Sequence, residues 1–164
     1  MAVLVAGGSG LAGSAIVSEL SAKGEEVISI NSKIIDLTDR KATFEFINDI
    51  KPTHVIDAAA KVGGIGANNE KPVDFLSLNI QIQTNLMDAS HSAGVERFIF
   101  LGSSCIYPKF SEQPIKEESL LSGYLESTNE PYAIAKIAGI KLCESYNRQY
   151  NLDYRSVMPT NLYE

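Results

Sequence analysis

The sequence predicts an α/β fold, a doubly wound parallel sheet with helices on both faces. Three observations lead there. Short apolar runs alternate with segments of helical periodicity along the chain. A glycine-rich turn joins the first apolar run to the first helical segment. The 164 residues are 45% hydrophobic and 21% charged, an ordinary globular balance and enough chain for one domain with a core. Strands that alternate with helices pair in parallel through right-handed crossovers.

The elements follow in order. Ala2–Ala6 (AVLVA) is a short apolar run stopped by glycines, the pattern of a strand buried on both faces. From Gly10 to Lys23 the pattern is helical: Ala12, Ile16 and Leu20 share one face, and Gly24 stands where a C-terminal cap belongs. Val27–Ile30 reads as a second strand. Thr38 or Asp39 can cap a helix carrying Phe44, Ile47 and Ile50, which Pro52 ends. His54–Ala60 reads as a third strand. A long helix is expected from Pro72, with Phe75, Leu78, Ile82, Leu86, Ala89 and Ala93 in one stripe and Gly94 closing it. Arg97–Leu101 is a fourth strand. A looped stretch with Pro108, Pro114 and Gly123 separates it from a helix spanning Tyr132 to Tyr150, and Tyr154–Met158 is a last strand.

Composition excludes several classes of function. The formal net charge of −6 argues against nucleic acid as a partner, which would need a basic face. An anionic small ligand stays open, because a helix N-terminus binds phosphate without Lys or Arg. No apolar run approaches the ~20 residues that span a bilayer, so no membrane association is expected. No basic segment precedes the first apolar run, so it is not a secretory signal. Cys105 and Cys143 make neither a disulfide framework nor a metal-ligand pattern. A cytoplasmic protein with free thiols and no metal is the simplest expectation.

Gly7, Gly10 and Gly13 are spaced G-x-x-G-x-x-G within Gly7-Gly8-Ser9-Gly10-Leu11-Ala12-Gly13. Between a strand and a helix this reads as a Rossmann-type dinucleotide-binding turn. One glycine permits the tight turn, one lets the backbone approach a pyrophosphate, and one lets the helix pack on the sheet. Free N–H groups of the helix then face the phosphates. The bland alternative is a tight strand–helix connection and nothing more.

Tyr132 and Lys136 form a Y-x-x-x-K on a predicted helix. The i, i+4 spacing puts both on one face, about 6 Å apart along the axis. Ketone reduction by a nicotinamide needs a proton delivered to the developing alkoxide. Free tyrosine titrates near pH 10, and a neighbouring ammonium is expected to lower that value. Ser103, at the carboxyl end of the fourth strand, can hold the substrate oxygen, since that edge of an open parallel sheet is where ligands bind. Alone, a Y-x-x-x-K is usually a solvated helix face; the glycine loop and strand-end serine in chain order make it a reductase signal.

The glycine spacing resembles the extended short-chain dehydrogenases/reductases, which place an acidic-apolar pair such as Asp36-Leu37 near the adenine. Three stretches narrow this: Ala58-Ala59-Ala60-Lys61-Val62-Gly63-Gly64-Ile65, Gly102-Ser103-Ser104-Cys105-Ile106-Tyr107-Pro108-Lys109, and Thr128–Asn147 around the Tyr/Lys pair. They resemble the GDP-L-fucose synthase family, the 3,5-epimerase/4-reductases of GDP-4-keto-6-deoxy-mannose. Other sugar-nucleotide epimerases and dehydratases share the glycine loop and the Tyr/Lys pair, but not usually the AAAKVGGI stretch or the cysteine. The resemblance implies epimerisation at C3 and C5, then NADPH-dependent reduction at C4. It makes Tyr132 the acid/base, Lys136 its partner, Ser103 the carbonyl clamp and Cys105 one acid/base of the epimerisation. A thiol titrating near pH 8.5 suits that work, although a free cysteine is more often a small buried hydrophobe. It places the dinucleotide against Gly7, Gly8, Ser9, Gly10, Leu11, Ala12 and Gly13. It adds Lys33, Asp36 and Leu37, then Leu101, Gly102, Ser103 and Ser104, then Lys136, and finally Pro159, Thr160, Asn161 and Leu162. A GDP-sugar substrate and a homodimer are implied for the full-length form.

The chain also departs from the family pattern. The family's second epimerisation residue, a histidine, lies beyond Glu164; His54 and His91 match no motif and are expected at the surface. The family continues into a smaller substrate domain, so residues 1–164 are expected to be the NAD(P)-binding domain with that domain absent. Where family members often carry an arginine in the glycine loop, this chain has Ser9, leaving Lys33 as the candidate cation for a ribose 2′-phosphate. Asn31 and Ser32, not an acid, end the second strand. NADP is therefore favoured over NAD. Two other readings stay open: a non-catalytic dinucleotide-binding module or inactive fragment, and another nucleotide-sugar epimerase or dehydratase.

Overall fold

A computed structural model describes residues 2–160 and Leu162. Five parallel strands form one sheet in the order β2-β1-β3-β4-β5: β1 (Ala2–Ala6), β2 (Glu26–Ile30), β3 (His54–Asp57), β4 (Arg97–Leu101) and β5 (Asp153–Val157). Every neighbouring pair is parallel, as alternating strands and helices require. Strand β1, flanked by β2 and β3, is the most apolar; Leu4, Val5 and Ala6 are fully buried. Five α-helices connect the strands: α1 (Leu11–Ala22), α2 (Arg40–Ile50), α3 (Ile65–Glu70), α4 (Asn79–Ser92) and α5 (Glu130–Tyr150). Helix α1 packs on β1 and β2, while α2, α4 and α5 form a contiguous layer in which α5 lies over β4 and β5.

The element order is as the sequence predicts, and the differences have local causes. Asp39, not Thr38, caps α2 by accepting from the Ala42 N–H at 3.0 Å; the Thr38 hydroxyl is turned to Asp36. Strand β3 stops at Asp57, because its carboxylate accepts from the Ala59 N–H at 3.0 Å and turns the chain out of the ladder. The long helix expected from Pro72 runs unbroken to Ser92, but its Asp74–Leu78 stretch is π-helical and passes directly into α4. Asn79 sits at that junction, donating to the Phe75 carbonyl at 2.7 Å while clamping both backbone groups of Lys61. Helix α3 was not foreseen; its six residues carry two asparagines and a glycine and no helical apolar stripe.

The histidines are not simply surface residues. His91 is half-buried and stacks on Tyr150, ring centroids 4.2 Å apart, with Tyr146 at 5.1 Å. Half-buried His54 meets the Thr53 hydroxyl through Nδ1 at 3.1 Å. Aromatic neighbours one helix away are invisible to a pattern read along one helix.

Candidate active site at the carboxyl edge of the sheet

The strand order reverses between β1 and β3, so the connections that leave their carboxyl ends run to opposite sides, the usual ligand position in an open α/β sheet. A cavity of about 420 Å³ opens at this point. Its walls are the loop after β1 (Gly7, Ser9, Gly10), the first turn of α1 (Leu11, Ala12, Gly13), the end of β2 (Ile30, Asn31, Ser32), Ile35, Asp36 and Leu37, the β3 loop (Ala58, Ala59, Ala60), and Leu162.

Two glycines are fixed here by space. Gly7 has φ +74°, and a side chain there would meet the Ala58 carbonyl oxygen at 2.6 Å. A Cβ on Gly13 would collide with the Gly7 carbonyl, so only glycine lets α1 start this close to the loop. Gly10 is the N-cap of α1 and has no side chain to occupy the first-turn N–H groups, which stay available to a ligand. Asp36 accepts from the Thr38 N–H at 2.9 Å and hydroxyl at 2.7 Å, and these bonds hold its carboxyl below the ordinary value. A dinucleotide fits this cradle: glycine-walled and cationless at its phosphate end, apolar at Ile30, Ile35 and Leu37, with a fixed carboxylate beside them.

Some expected contacts sit elsewhere. Gly8 lies beneath the cavity, its N–H donating to the Ile30 carbonyl at 2.9 Å and its Cα against Ser29. Lys33 is exposed on the turn after β2 and does not line the cavity. Ser104 and Thr160 line a second cavity of about 530 Å³, beyond the ends of β4 and β5 with Tyr107 and Met158. Pro159 is half-buried beside it, and Asn161 lies outside the described residues.

The second cluster is made of side chains. Ser103 follows β4 and caps a short 3₁₀ turn, its hydroxyl accepting from the Cys105 N–H at 3.5 Å. Helix α5 lies over β4, and Gly139 permits the approach, since a Cβ there would strike the Phe100 ring. One turn earlier, Lys136 is only 3% exposed. Its Nζ donates to the Leu101 carbonyl at 2.7 Å and lies 4.6 Å from the Phe100 centroid and 5.8 Å from that of Tyr132. The Tyr132 ring stands edge-on to Phe75. The Leu101 carbonyl and Gly102, whose N–H donates to the Val157 carbonyl at 2.8 Å, therefore form the floor of this cluster.

Burial governs the electrostatics. It pushes the Tyr132 hydroxyl up to about 12, with the Cys105 charge adding to the effect. The expected lowering by Lys136 is not realised here, because the ammonium is engaged by the Leu101 carbonyl and the Phe100 face rather than by the phenol. Burial also raises the Cys105 thiol, opposed by the Ser103 hydroxyl and the Lys136 charge. Lys136 is pulled down by burial and held up by the charges of Asp57 and Cys105. The sequence reading missed Asp57, Asn79 and Gly139. An acid ending an otherwise apolar strand was the one available signal for Asp57; the other two depend on contacts between distant elements.

Among the described residues, no helix is long and apolar enough to cross a membrane. The sequence profile of the NAD dependent epimerase/dehydratase family matches residues 3–163. The chain is 54% identical over 162 residues to GDP-L-fucose synthase of Escherichia coli (strain K12), covering 98% of this chain and 50% of that protein. It superposes on MlghC, a GDP-mannoheptose C4 reductase from Campylobacter jejuni with NADP bound, with a TM-score of 0.95 at 34% identity, covering 99% of this chain and 52% of that one. For a GDP-L-fucose synthetase from Naegleria fowleri bound to NADP, the TM-score is 0.89 at 32% identity, with 99% and 54% covered. The chain spans about half the length of the curated relatives it matches. With its glycine-walled cavity and its Ser103, Tyr132 and Lys136 cluster, the chain belongs to the NAD dependent epimerase/dehydratase family.

Proposed function

We propose that residues 1–164 are the NAD(P)-binding domain of a cytoplasmic GDP-L-fucose synthase, which epimerises C3 and C5 of GDP-4-keto-6-deoxy-D-mannose and reduces C4 with NADPH. One observation carries the reading: Ser103, Cys105, Tyr132 and Lys136 gather at the same sheet edge as the glycine-walled cavity. The similarity to GDP-L-fucose synthases supports the substrate, and the NADP-bound neighbours support the cofactor. We take a homodimer as the full-length form.

The cavity residues Gly7, Ser9 to Gly13, Asp36 and Leu37 hold the dinucleotide, which supplies hydride when bound. Ser103 donates to the C4 oxygen and orients it. Tyr132, protonated throughout the neutral range because burial raises it to about 12, delivers its proton to that oxygen as charge develops. Lys136 would contact the nicotinamide ribose, and its ammonium, 5.8 Å from the Tyr132 centroid, offsets the charge left on the phenolate until solvent reprotonates it. Cys105, whose thiol burial raises, returns a proton to the sugar carbon during epimerisation, after the second acid/base, the family's histidine in the full-length form, has removed one from the opposite face. The thiolate then regains its proton from solvent.

The test is NADPH oxidation with the keto-sugar by the protein in full-length context, with solvent-deuterium incorporation at C3 and C5 followed by NMR. GDP-L-fucose formation is expected. Cys105→Ser should slow deuterium exchange at least tenfold more than reduction, since a hydroxyl exchanges protons far less readily than a thiol. Exchange unaltered by that change would return Cys105 to a packing role. A second reading, reduction of another GDP-4-keto sugar, is favoured by the superposition on the GDP-mannoheptose C4 reductase. Turnover of a GDP-keto-heptose with none of the deoxy-mannose would select it.

A further inference from the structure

We propose that Asp57 is the buried counter-ion of Lys136, a positioning residue that keeps the lysine ammonium charged and seated at the Leu101 carbonyl. The inference rests on the proposed role of Lys136 only for its functional consequence, not for the pairing itself.

The argument starts from an anomaly in β3. His-Val-Ile-Asp ends a parallel strand whose inward positions should be apolar, yet Asp57 is 0% exposed. One carboxylate oxygen accepts from the Ala59 N–H at 3.0 Å; the other, Oδ2, is buried and has no hydrogen-bond partner. An orphaned buried carboxylate oxygen is costly unless a charge answers it. The strand register places Asp57 beside Phe100 on β4, so both side chains rise on the sheet face that α5 covers. Lys136 comes down onto the same Phe100 ring, its Nζ 4.6 Å from the centroid. The Nζ has three donors, and Leu101 takes one. A buried ammonium with donors to spare and a buried carboxylate with an unanswered oxygen thus flank one aromatic ring, without forming a direct ion pair.

The charges agree with this geometry. Asp57 is the leading influence that supports the charged form of Lys136 against burial, and Lys136 is the leading influence that supports ionised Asp57. The other titratable groups in play are Cys143 of α5, raised chiefly by burial and then by Asp57, and Cys105, which acts on Lys136 from the 3₁₀ turn. From α4 the neighbour at this point is Gln83, a neutral group that donates to the Ala135 carbonyl at 2.7 Å. Among the described residues, Lys136 is the cation that answers Asp57.

The test is NMR titration of the Lys136 Cε and Nζ signals in protein labelled at lysine, assigned by their loss in Lys136→Arg. In Asp57→Asn the Lys136 midpoint should fall by about one pH unit or more, and Asp57→Glu should hold it near the wild-type value. NADPH affinity of Asp57→Asn should then weaken most at high pH. An unchanged Lys136 midpoint in Asp57→Asn overturns the inference. Should that variant not fold, the reciprocal measurement serves: the Asp57 carboxyl midpoint should rise in Lys136→Met, and an unmoved midpoint overturns the pairing. If the midpoints move but NADPH affinity is indifferent to Lys136, the pairing stands and the cofactor contact assigned to Lys136 falls.

Discussion

The two halves of the carboxyl edge are built by different means. The glycine-walled cavity, between β1 and β3, is made of backbone: glycines at 7, 10 and 13, the Ala58–Ala60 loop, and the open first turn of α1. The cluster over β4 is made of side chains: Ser103, Cys105, Tyr132 and Lys136, with Asp57 beneath. Backbone binds by shape and dipole, so the first half needs little charge and stays open. The second half must hold protons, and burial, complete at Lys136 and Asp57 and partial at Ser103, Cys105 and Tyr132, moves its ionisation. Changing the first should cost binding or folding; changing the second should cost rate or alter the pH profile.

The largest separation should come from Tyr132→Phe in full-length context. Losing the acid should lower the rate of NADPH oxidation by about 10²–10⁴-fold while NADPH still binds. A mutant within tenfold of wild type would remove Tyr132 from the mechanism and end the distinction between the two halves.

Next in size is the pH dependence of stability. Burial raises Asp57 from 3.8 to about 6, so the fold prefers its protonated form. Its contribution to stability is complete below about pH 4 and is lost as pH rises through 6. The loss is about 3 kcal/mol by linkage. Asp36 and Asp153 are lowered instead, so their contributions disappear only in stronger acid. Denaturant melts of this chain between pH 4.5 and 7.5 should therefore show a decline in wild type that Asp57→Asn flattens. Parallel pH profiles for the two proteins would mean that Asp57 is not the titrating group.

Glycine substitutions sharpen the comparison within the backbone half. Gly13→Ala drives a methyl into the Gly7 carbonyl and should cost about 1–3 kcal/mol. Gly66→Ala meets nothing within 4 Å inside α3 and should be neutral or stabilising by up to about 1 kcal/mol. Equal melting points for the two variants would show that loop spacing does not constrain α1.

This division also explains what could be read in the chain. A backbone-built site leaves its mark in local spacing, and Gly7, Gly10 and Gly13 were legible for that reason, while the Asp36-Leu37 pair came only from the family resemblance. Five parallel strands followed from apolar runs and periodicity. The side-chain half was legible in its members but not in its charges. The sequence placed Lys136 beside Tyr132 and made it lower the phenol. In the fold, Gly139 lets α5 settle on Phe100, and the Leu101 carbonyl takes the ammonium instead. That outcome depends on three elements far apart in the chain. Asn79 was hidden likewise, because its partner Lys61 lies 18 residues away.

The central claim is that the first turn of α1 receives the phosphates of a dinucleotide, and Gly10→Asp tests it most directly. Gly10 is the exposed N-cap of α1, with φ −80° and ψ 172°, a conformation aspartate accepts. An aspartate there caps the helix as well as or better than glycine, which offsets the 3.3 Å approach of its Cβ to the Gly7 carbonyl oxygen, so the fold should be kept. The same carboxylate occupies the N–H groups and repels phosphate. Fluorescence titration with NADPH should give saturable binding for the wild-type chain and a loss of at least tenfold in affinity for Gly10→Asp, whose melting point stays within a few degrees of wild type. No binding by the folded wild-type chain, or undiminished binding by Gly10→Asp, would contradict the account.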